Sequence, residues 1–192
     1  MKRVLIGMGS NRSFNNKTPV EILSCACGEL SKILADAEFS SVYRTRAMYV
    51  EDQEDFYNMA ATGFVPDETD AFEFLHLINK IEAKYGRDRT KEIRFGPRSL
   101  DLDIELFGDE TYNHPDLQIP HPRMHERAFV LIPTIEVFSN TADVLLRDKY
   151  QFLLDKVTAQ GGAEGIVILG KIITGGSGNG SGTDCSSDKT CV

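Results

Sequence analysis

Residues 100–107 constrain the folding of this chain most: Leu100, Leu102, Ile104 and Leu106 alternate with Asp101, Asp103 and Glu105. A period of two is the signature of a β-strand with one face in a core. Residues two apart on a strand point the same way, so Asp101 and Asp103 share a face about 7 Å apart. Carboxylates held that close repel, and a hard divalent cation relieves the repulsion. Arg94 and Arg98 lie just upstream, with Arg87 and Arg89 a little earlier. A carboxylate pair for Mg²⁺ beside several guanidiniums suits a phosphate chain, the metal bridging its oxygens and arginine spreading the remaining charge. A solvated face laced with Arg–Asp ion pairs fits the strand equally well, and on the strand alone both readings stand.

Composition narrows the choice. A chain of 192 residues predicts one domain with a proper core. The formal net charge of −8 argues against a general nucleic-acid binder. Positive charge is concentrated between Lys80 and Arg98, which in an acidic protein points to a small anionic ligand. No apolar run approaches membrane-spanning length. Met1-Lys2-Arg3-Val4 leads straight into a strand pattern without the features of a signal peptide, so a cytoplasmic protein is expected; a monomer is expected as well. Cys25 and Cys27 sit two apart on a predicted helix and Cys185 and Cys191 in a polar tail. None has metal-ligand spacing.

Taken in order, residues 3–9 predict a strand ending in the turn composition Gly9-Ser10-Asn11. Thr18, Pro19 and Glu21 form a capping box opening a helix that fades near Asp36. A second strand is expected over Ala37 to Thr45 and a third over Phe56 to Val65, on which Phe56 and Asn58 share a face. A ring beside a carboxamide suits a flat heterocycle; a phenylalanine that merely belongs to the core is the commoner case. Asp70 caps a second helix, ended by Gly86, with Asn79 and Glu82 on one side of its apolar stripe. A basic loop over Arg87 to Pro97 leads to the carboxylate strand.

Beyond it, Glu110-Thr111-Tyr112 predicts a short edge strand, and Ile119-Pro120-His121-Pro122-Arg123 an extended segment presenting His121, Arg123, His125 and Arg127. A transition-metal reading of these histidines is weak, since no cysteine joins them. Apolar residues over Ala128 to Val137 pack around a short helix interrupted by Pro133, and a further helix covers Leu145 to Val157. Residues 1–158 thus make one domain, and 159–192 a Gly/Ser-rich tail expected to be disordered, within which Gly165 to Thr174 is an apolar piece without an assigned place. The order β-α-β-β-α-β predicts an α+β, ferredoxin-like fold, an antiparallel sheet backed by helices, with extra C-terminal helical material. No phosphate-binding glycine loop is present.

Several separated motifs then coincide. They are Gly9-Ser10-Asn11, Tyr43-Arg44-Thr45, Asp52-Gln53-x-x-Phe56-x-Asn58, Glu82-x-x-x-Gly86-Arg87-x-Arg89, Gly96-Pro97-Arg98-x-Leu100-Asp101-Leu102-Asp103, and Ile119-Pro120-His121-Pro122-Arg123 with Arg127 and Phe129. In this order and spacing, over about residues 1–158, the chain resembles the 6-hydroxymethyl-7,8-dihydropterin pyrophosphokinase family of folate biosynthesis. The resemblance implies transfer of the β,γ-diphosphate of ATP to the pterin hydroxymethyl group, leaving AMP. It implies two Mg²⁺ ions on Asp101 and Asp103, and catalytic roles for these and for Arg87 and Arg98. Thr45, Phe56, Asn58 and Phe129 would line the pterin site, Asn58 reading its edge and the two rings sandwiching it. Asn79, Glu82, Arg87, Arg89, Arg94, Arg98, His121 and Arg127 would surround ATP, with Arg89 and Arg94 on a mobile loop.

The chain departs from the family pattern at Arg46-Ala47-Met48-Tyr49, where many relatives have prolines, and at Phe95, where some carry Trp. The loop from Arg89 to Pro97 is one residue longer than in some relatives, and Asn79 replaces a frequent Gln. Two rival readings are a palm-like nucleotidyl transferase, which also sets carboxylates on a strand, and a non-enzymatic small-ligand binding domain. The first has no use for Asn58 beside Phe56 or for the Pro-His-Pro segment, and the second has little use for two carboxylates facing several arginines.

Overall fold

The computed structural model describes residues 1–46, 54–89, 96–139 and 143–172. Its centre is strand β1 (Lys2–Ser10), flanked by β4 (Phe56–Val65) on one side and β5 (Asp101–Phe107) on the other. The strands β3 (Ser41–Thr45) and β8 (Val167–Lys171) complete the order β5-β1-β4-β3-β8, and β2 (Ala35–Phe39) also pairs with β4. Every pairing is antiparallel. The elements from β1 to β5 keep the ferredoxin-like β-α-β-β-α-β arrangement, with its second strand split in two.

β1 is buried on both faces, which is why its sequence is a nearly unbroken apolar run. Val4, Ile6 and Met8 pack with Leu23 and Cys27 of α1 (Pro19–Leu30) and with Phe74 and Ile78 of α2 (Ala71–Lys84). On the opposite face Leu5 joins Ala60, Leu131 of α3 (Ala128–Val137) and Tyr150 of α4 (Val144–Ala159). The capping box of α1 forms as expected: the Thr18 N–H donates to Glu21 Oε2 at 2.8 Å and the Glu21 N–H to Thr18 Oγ1 at 3.4 Å. Asp70 caps α2 by accepting from the N–H groups of Phe72 and Glu73 at 2.9 and 3.1 Å. Gly86 ends the helix region at φ 87° and delivers Arg87 to the sheet edge.

Several expectations are corrected. α1 stops at Leu30, not near Asp36. The Ser31 hydroxyl donates to Cys27 O at 2.9 Å and closes the last turn, so Ile33 and Leu34 reach the core from a turn, although they keep helical spacing. The single strand expected over 37–45 is two. Ser40 interrupts it, its N–H donating to Ala60 O and its Oγ accepting from the Ala60 N–H, both at 2.9 Å. The register therefore slips by one residue between Phe39↔Ala61 and Tyr43↔Asn58. The edge strand expected at Glu110-Thr111-Tyr112 is a separate hairpin, β6 (Tyr112–His114) with β7 (Leu117–Ile119), because Leu117 and Ile119 bury themselves in the first core. Helix α3 runs through Pro133.

Part of the expected tail is structured. α4 extends to Ala159, and β8 pairs with β3 while Ile166 and Ile172 pack against the two cores. The apolar run Val167-Ile168-Leu169 outweighs the glycine-rich setting once an unpaired strand edge is available. The remainder of the tail, residues 173–192, lies outside the described residues. Glu136 of α3 secures this end of the sheet by accepting from the Ser41 N–H at 2.9 Å, the Ser41 hydroxyl at 3.0 Å and the Tyr43 hydroxyl at 2.8 Å. Glu136→Ala removes all three acceptors and is expected to cost about 1–3 kcal/mol of stability, readable in a urea titration.

Strand β5 also departs from strict alternation. Leu5 pairs with Leu106 but Ile6 with Ile104, so Glu105 is an extra residue in the ladder. The bulge turns Leu106 toward the second core and Phe107 toward the first, whereas the pattern in sequence had aligned Leu106 with Leu102 and Ile104.

Candidate active site

The register brings Asn58 of β4, Gly9 of β1 and Asp101 of β5 into one row across the sheet, with Tyr43 of β3 continuing it. At Gly9 a Cβ would lie 3.4 Å from Asn58 Oδ1 and 3.8 Å from Asp101 Cβ, so the glycine leaves a shallow floor between carboxamide and carboxylate. Asp103 stands opposite Gly7 in the next row of the same face. On the β4 side Asn58 is buried and its Nδ2 donates to Thr45 Oγ1 at 2.9 Å. Phe56, two residues earlier on the strand, is half-buried on that face.

On the β5 side the arginines converge on Asp101. Arg87 Nη1 donates to Oδ1 at 2.5 Å and Arg98 Nη1 to Oδ2 at 2.6 Å. Arg87 also pairs with Glu82, which is wholly buried. Glu82 accepts in addition from the Leu102 N–H at 2.8 Å and from Arg89 at 2.7 Å, and Arg89 reaches Asn79 Oδ1 at 2.8 Å. Helix α2, the basic loop and β5 are thus joined through one carboxylate. Arg94 lies outside the described residues.

The two aspartates differ electrostatically. Burial pushes the Asp101 carboxyl up, but Arg87 and Arg98 outweigh it and hold it below the usual range. Asp103 is pushed up to about 7, by burial first and then by the Asp101 charge. Burial likewise raises Glu82, against the pull of Arg87. His121, which follows a cis Ile119–Pro120 bond, is pushed down to about 4 by burial and by Arg127, so its ring is neutral at neutral pH. Arg127, at the cap of α3, lies 5.7 Å from the centroid of the Phe129 ring.

Most of the residues singled out in sequence therefore gather around one row of the sheet: Asp101, Arg87, Arg98, Glu82, Arg89 and Asn79 as one hydrogen-bonded set at the β5 edge, Asn58 with Thr45 as a second. Phe56 and Phe129 make no ring contact with each other among the described residues. The ion-pair reading of the strand holds for Asp101 but not for Asp103, whose side chain makes no salt bridge or hydrogen bond among the described residues.

Sequence reasoning took Ser10 and Asn11 for a turn and missed what they do. Asn11 Oδ1 accepts from the Arg98 N–H at 2.7 Å, the N–H groups of Asn11 and Arg12 donate to Arg98 O at 2.9 and 3.1 Å, and Ser10 Oγ donates to Ser99 O at 2.6 Å. The end of β1 clamps the backbone of Arg98. The only sequence signal was two polar residues continuing an apolar strand. Asn11→Ala is expected to lower turnover about ten- to a hundredfold through misplacement of Arg98, with little change in the Michaelis constant for the non-phosphorylated substrate in steady-state assays.

The donor set suits Mg²⁺. Asp103 has no ion-pair partner among the described residues and is raised by burial and by the neighbouring Asp101 carboxylate, the donors at hand are oxygens, and no cage of three or more His, Cys, Asp or Glu exists among the described residues. Mg²⁺ is commonly held by one or two carboxylates with waters and substrate phosphates completing its octahedron.

Fold and site together define a ferredoxin-like domain with a carboxylate–arginine cluster at one end of a sheet face and an amide–hydroxyl pair at the other. The chain belongs to the 7,8-dihydro-6-hydroxymethylpterin-pyrophosphokinase family, an enzyme family whose model matches residues 5–139. Its relatives include the 2-amino-4-hydroxy-6-hydroxymethyldihydropteridine pyrophosphokinase of Bacillus subtilis, 46% identical over 98 residues that span 51% of this chain and 56% of that protein. The enzymes of the same name from Haemophilus influenzae and Aquifex aeolicus are 36% and 31% identical, over 70% and 77% of this chain and 81% and 87% of theirs. A solved structure of Plasmodium falciparum HPPK-DHPS superposes with a TM-score of 0.63 at 15% identity, covering 87% of this chain and 48% of that one. That likeness supports the fold. Among the described residues no helix is long and apolar enough to cross a membrane.

Proposed function

We propose that this chain transfers the terminal diphosphate of ATP to the hydroxymethyl group of 6-hydroxymethyl-7,8-dihydropterin in folate biosynthesis, acting as a cytoplasmic monomer. The observation that carries the reading is the cross-strand row in which Asn58 and Asp101 flank Gly9, with Arg87 and Arg98 on the acidic side. In the reaction the pterin hydroxyl oxygen forms a bond to the β-phosphorus of ATP. The bond from that phosphorus to the α,β-bridging oxygen breaks, AMP leaves with the electron pair, and the hydroxyl proton passes to solvent.

Asn58 supplies both an amide donor and an acceptor to the pterin edge, its orientation fixed by Thr45. Phe56 and Phe129 close on the two faces of the ring. Two Mg²⁺ ions held by Asp101 and Asp103 would neutralise the triphosphate and lower the barrier to in-line transfer. Arg87 and Arg98, already aimed at Asp101, exchange that carboxylate for phosphate oxygens when ATP enters. Arg89, Arg94 and Arg127 add charge around the triphosphate, while neutral His121, Asn79 and Glu82 border the nucleotide. Such a site works by positioning and charge stabilisation, without a strong base.

The test is product analysis with Mg-ATP and the pterin. AMP formed one-for-one with pterin consumed supports diphosphate transfer. ADP indicates a simple kinase, pyrophosphate release a nucleotidyl transferase, and pterin binding without turnover a binding domain; each overturns the proposal.

A further inference from the structure

The bulged residue Glu105 has no part in the reading above, yet it is built into the site. Its side chain leaves 1% of the residue exposed and sits over Gly7, where a Cβ would come within 3.0 Å of Glu105 Oε1. Glycine at position 7 therefore makes the space that the carboxyl occupies, on the face that carries Asp103. Glu105 Oε2 is buried without a hydrogen-bond partner. A buried acceptor in that condition is costly and calls for an explanation.

The complementary group is Arg127. Its Nε is likewise buried without a partner, and its charge acts on the Glu105 carboxyl. Arg87, Arg89 and Arg98 all have carboxylate partners in the cluster, whereas Arg127 has none within salt-bridge distance among the described residues. A donor on the α3 cap and an acceptor on β5 each lack what the other offers, and they lie close enough for the charge of one to act on the other. The remaining ionisable groups whose charge reaches Glu105 are Asp101 and Asp103, which repel it, and Tyr150 of α4, which feels its charge in turn.

We infer that Glu105 is a positioning residue for Arg127: its carboxyl engages the Nε edge of the guanidinium, directly or through one buried water, and turns the outer nitrogens toward the ATP phosphates. A guanidinium has five donors in a fixed fork, so holding one edge from behind sets the direction of the rest. This rests on the assignment of Arg127 to ATP made above.

The test is a set of four proteins: wild type, Glu105→Met, Arg127→Ala and the double variant, with Glu105→Gln as the conservative control. Methionine fills the space without leaving a buried carboxyl, so the fold is retained. Glu105→Met should raise the Michaelis constant for ATP about tenfold, the scale of one charge-assisted hydrogen bond, while that for the pterin stays unchanged. Glu105→Gln keeps an acceptor and should stay within about threefold of wild type. In the Arg127→Ala background, Glu105→Met should cost nothing further in ATP affinity. Thermal unfolding of the same four proteins reads the pairing independently of activity: Arg127→Ala should lower the melting temperature and Glu105→Met in that background should restore it.

Additive melting shifts, or an unchanged ATP constant in Glu105→Met while Arg127→Ala raises it, would overturn the inference and leave the proposed reaction standing. If Arg127→Ala itself left the ATP constant unchanged, the assignment of Arg127 would fail, and the positioning role with it. Loss of AMP formation in the wild type would instead defeat the underlying reaction.

Discussion

Asp103→Asn is expected to reduce turnover by about a thousandfold or more and, at the same time, to make the metal-free protein more stable. Both effects follow from the same carboxyl. In the folded chain Asp103 is pushed up to about 7 by burial and by Asp101, so its charged form is disfavoured relative to the unfolded chain, where it ionises near 4. The folded protein therefore holds a proton that the unfolded chain has lost between those values, and stability falls as pH rises from about 4 to about 7. Above that the penalty is constant. Asparagine carries no charge and escapes it. With the side chain partly exposed, the gain at pH 8 is of order 1–2 kcal/mol, or a melting temperature about 3–6 °C higher. Calorimetry in EDTA checks the stability half and AMP release the other. A variant that melts lower at pH 8 would show that Asp103 is compensated in the free protein; near-normal turnover would remove it from the metal site.

Arg98→Ala should slow diphosphate transfer by about 10²–10⁴-fold while pterin affinity stays within about twofold. The guanidinium reaches Asp101 at 2.6 Å, and its backbone is locked by Asn11 and Arg12, with Ser10 holding the next carbonyl, that of Ser99. It is therefore held at the acidic end of the row, two strands from Asn58 and three from Thr45, roughly 10–15 Å across the sheet. Pre-steady-state transfer combined with equilibrium pterin binding separates the two quantities. If pterin binding collapsed while transfer at saturating pterin persisted, Arg98 would belong to the pterin half of the site. Asn11→Ala should be a weaker version of the same defect, because it loosens the backbone but keeps the charge.

Much of the candidate site was legible in the sequence. Asp101 and Asp103 declare themselves by period-two spacing, Asn58 and Phe56 by the same rule on another strand, and Arg87 by a glycine that ends a capped helix. These signals are local and survive being read one segment at a time. What stayed hidden was long-range or depended on an irregularity. Glu82 looked like one polar residue beside a helical stripe. Only packing against β5 makes it the buried acceptor for Leu102, Arg87 and Arg89. Glu105 looked like a third outward carboxylate, and the bulge that buries it is a property of the pairing with β1.

The sequence by itself determined the main helices and strands of the β-α-β-β-α-β unit and their order. Helix caps, strand periodicity and turn residues act within a few positions, and the alternation of apolar with polar residues decides which faces must be buried. Tertiary structure decided the rest: where α1 stops, that residues 35–45 break at Ser40, that Val167–Lys171 joins the sheet, and which aspartate is paired. Each of these is a competition between local preference and a partner distant in the chain. The partner wins whenever it can satisfy a backbone group or a charge that would otherwise be buried alone.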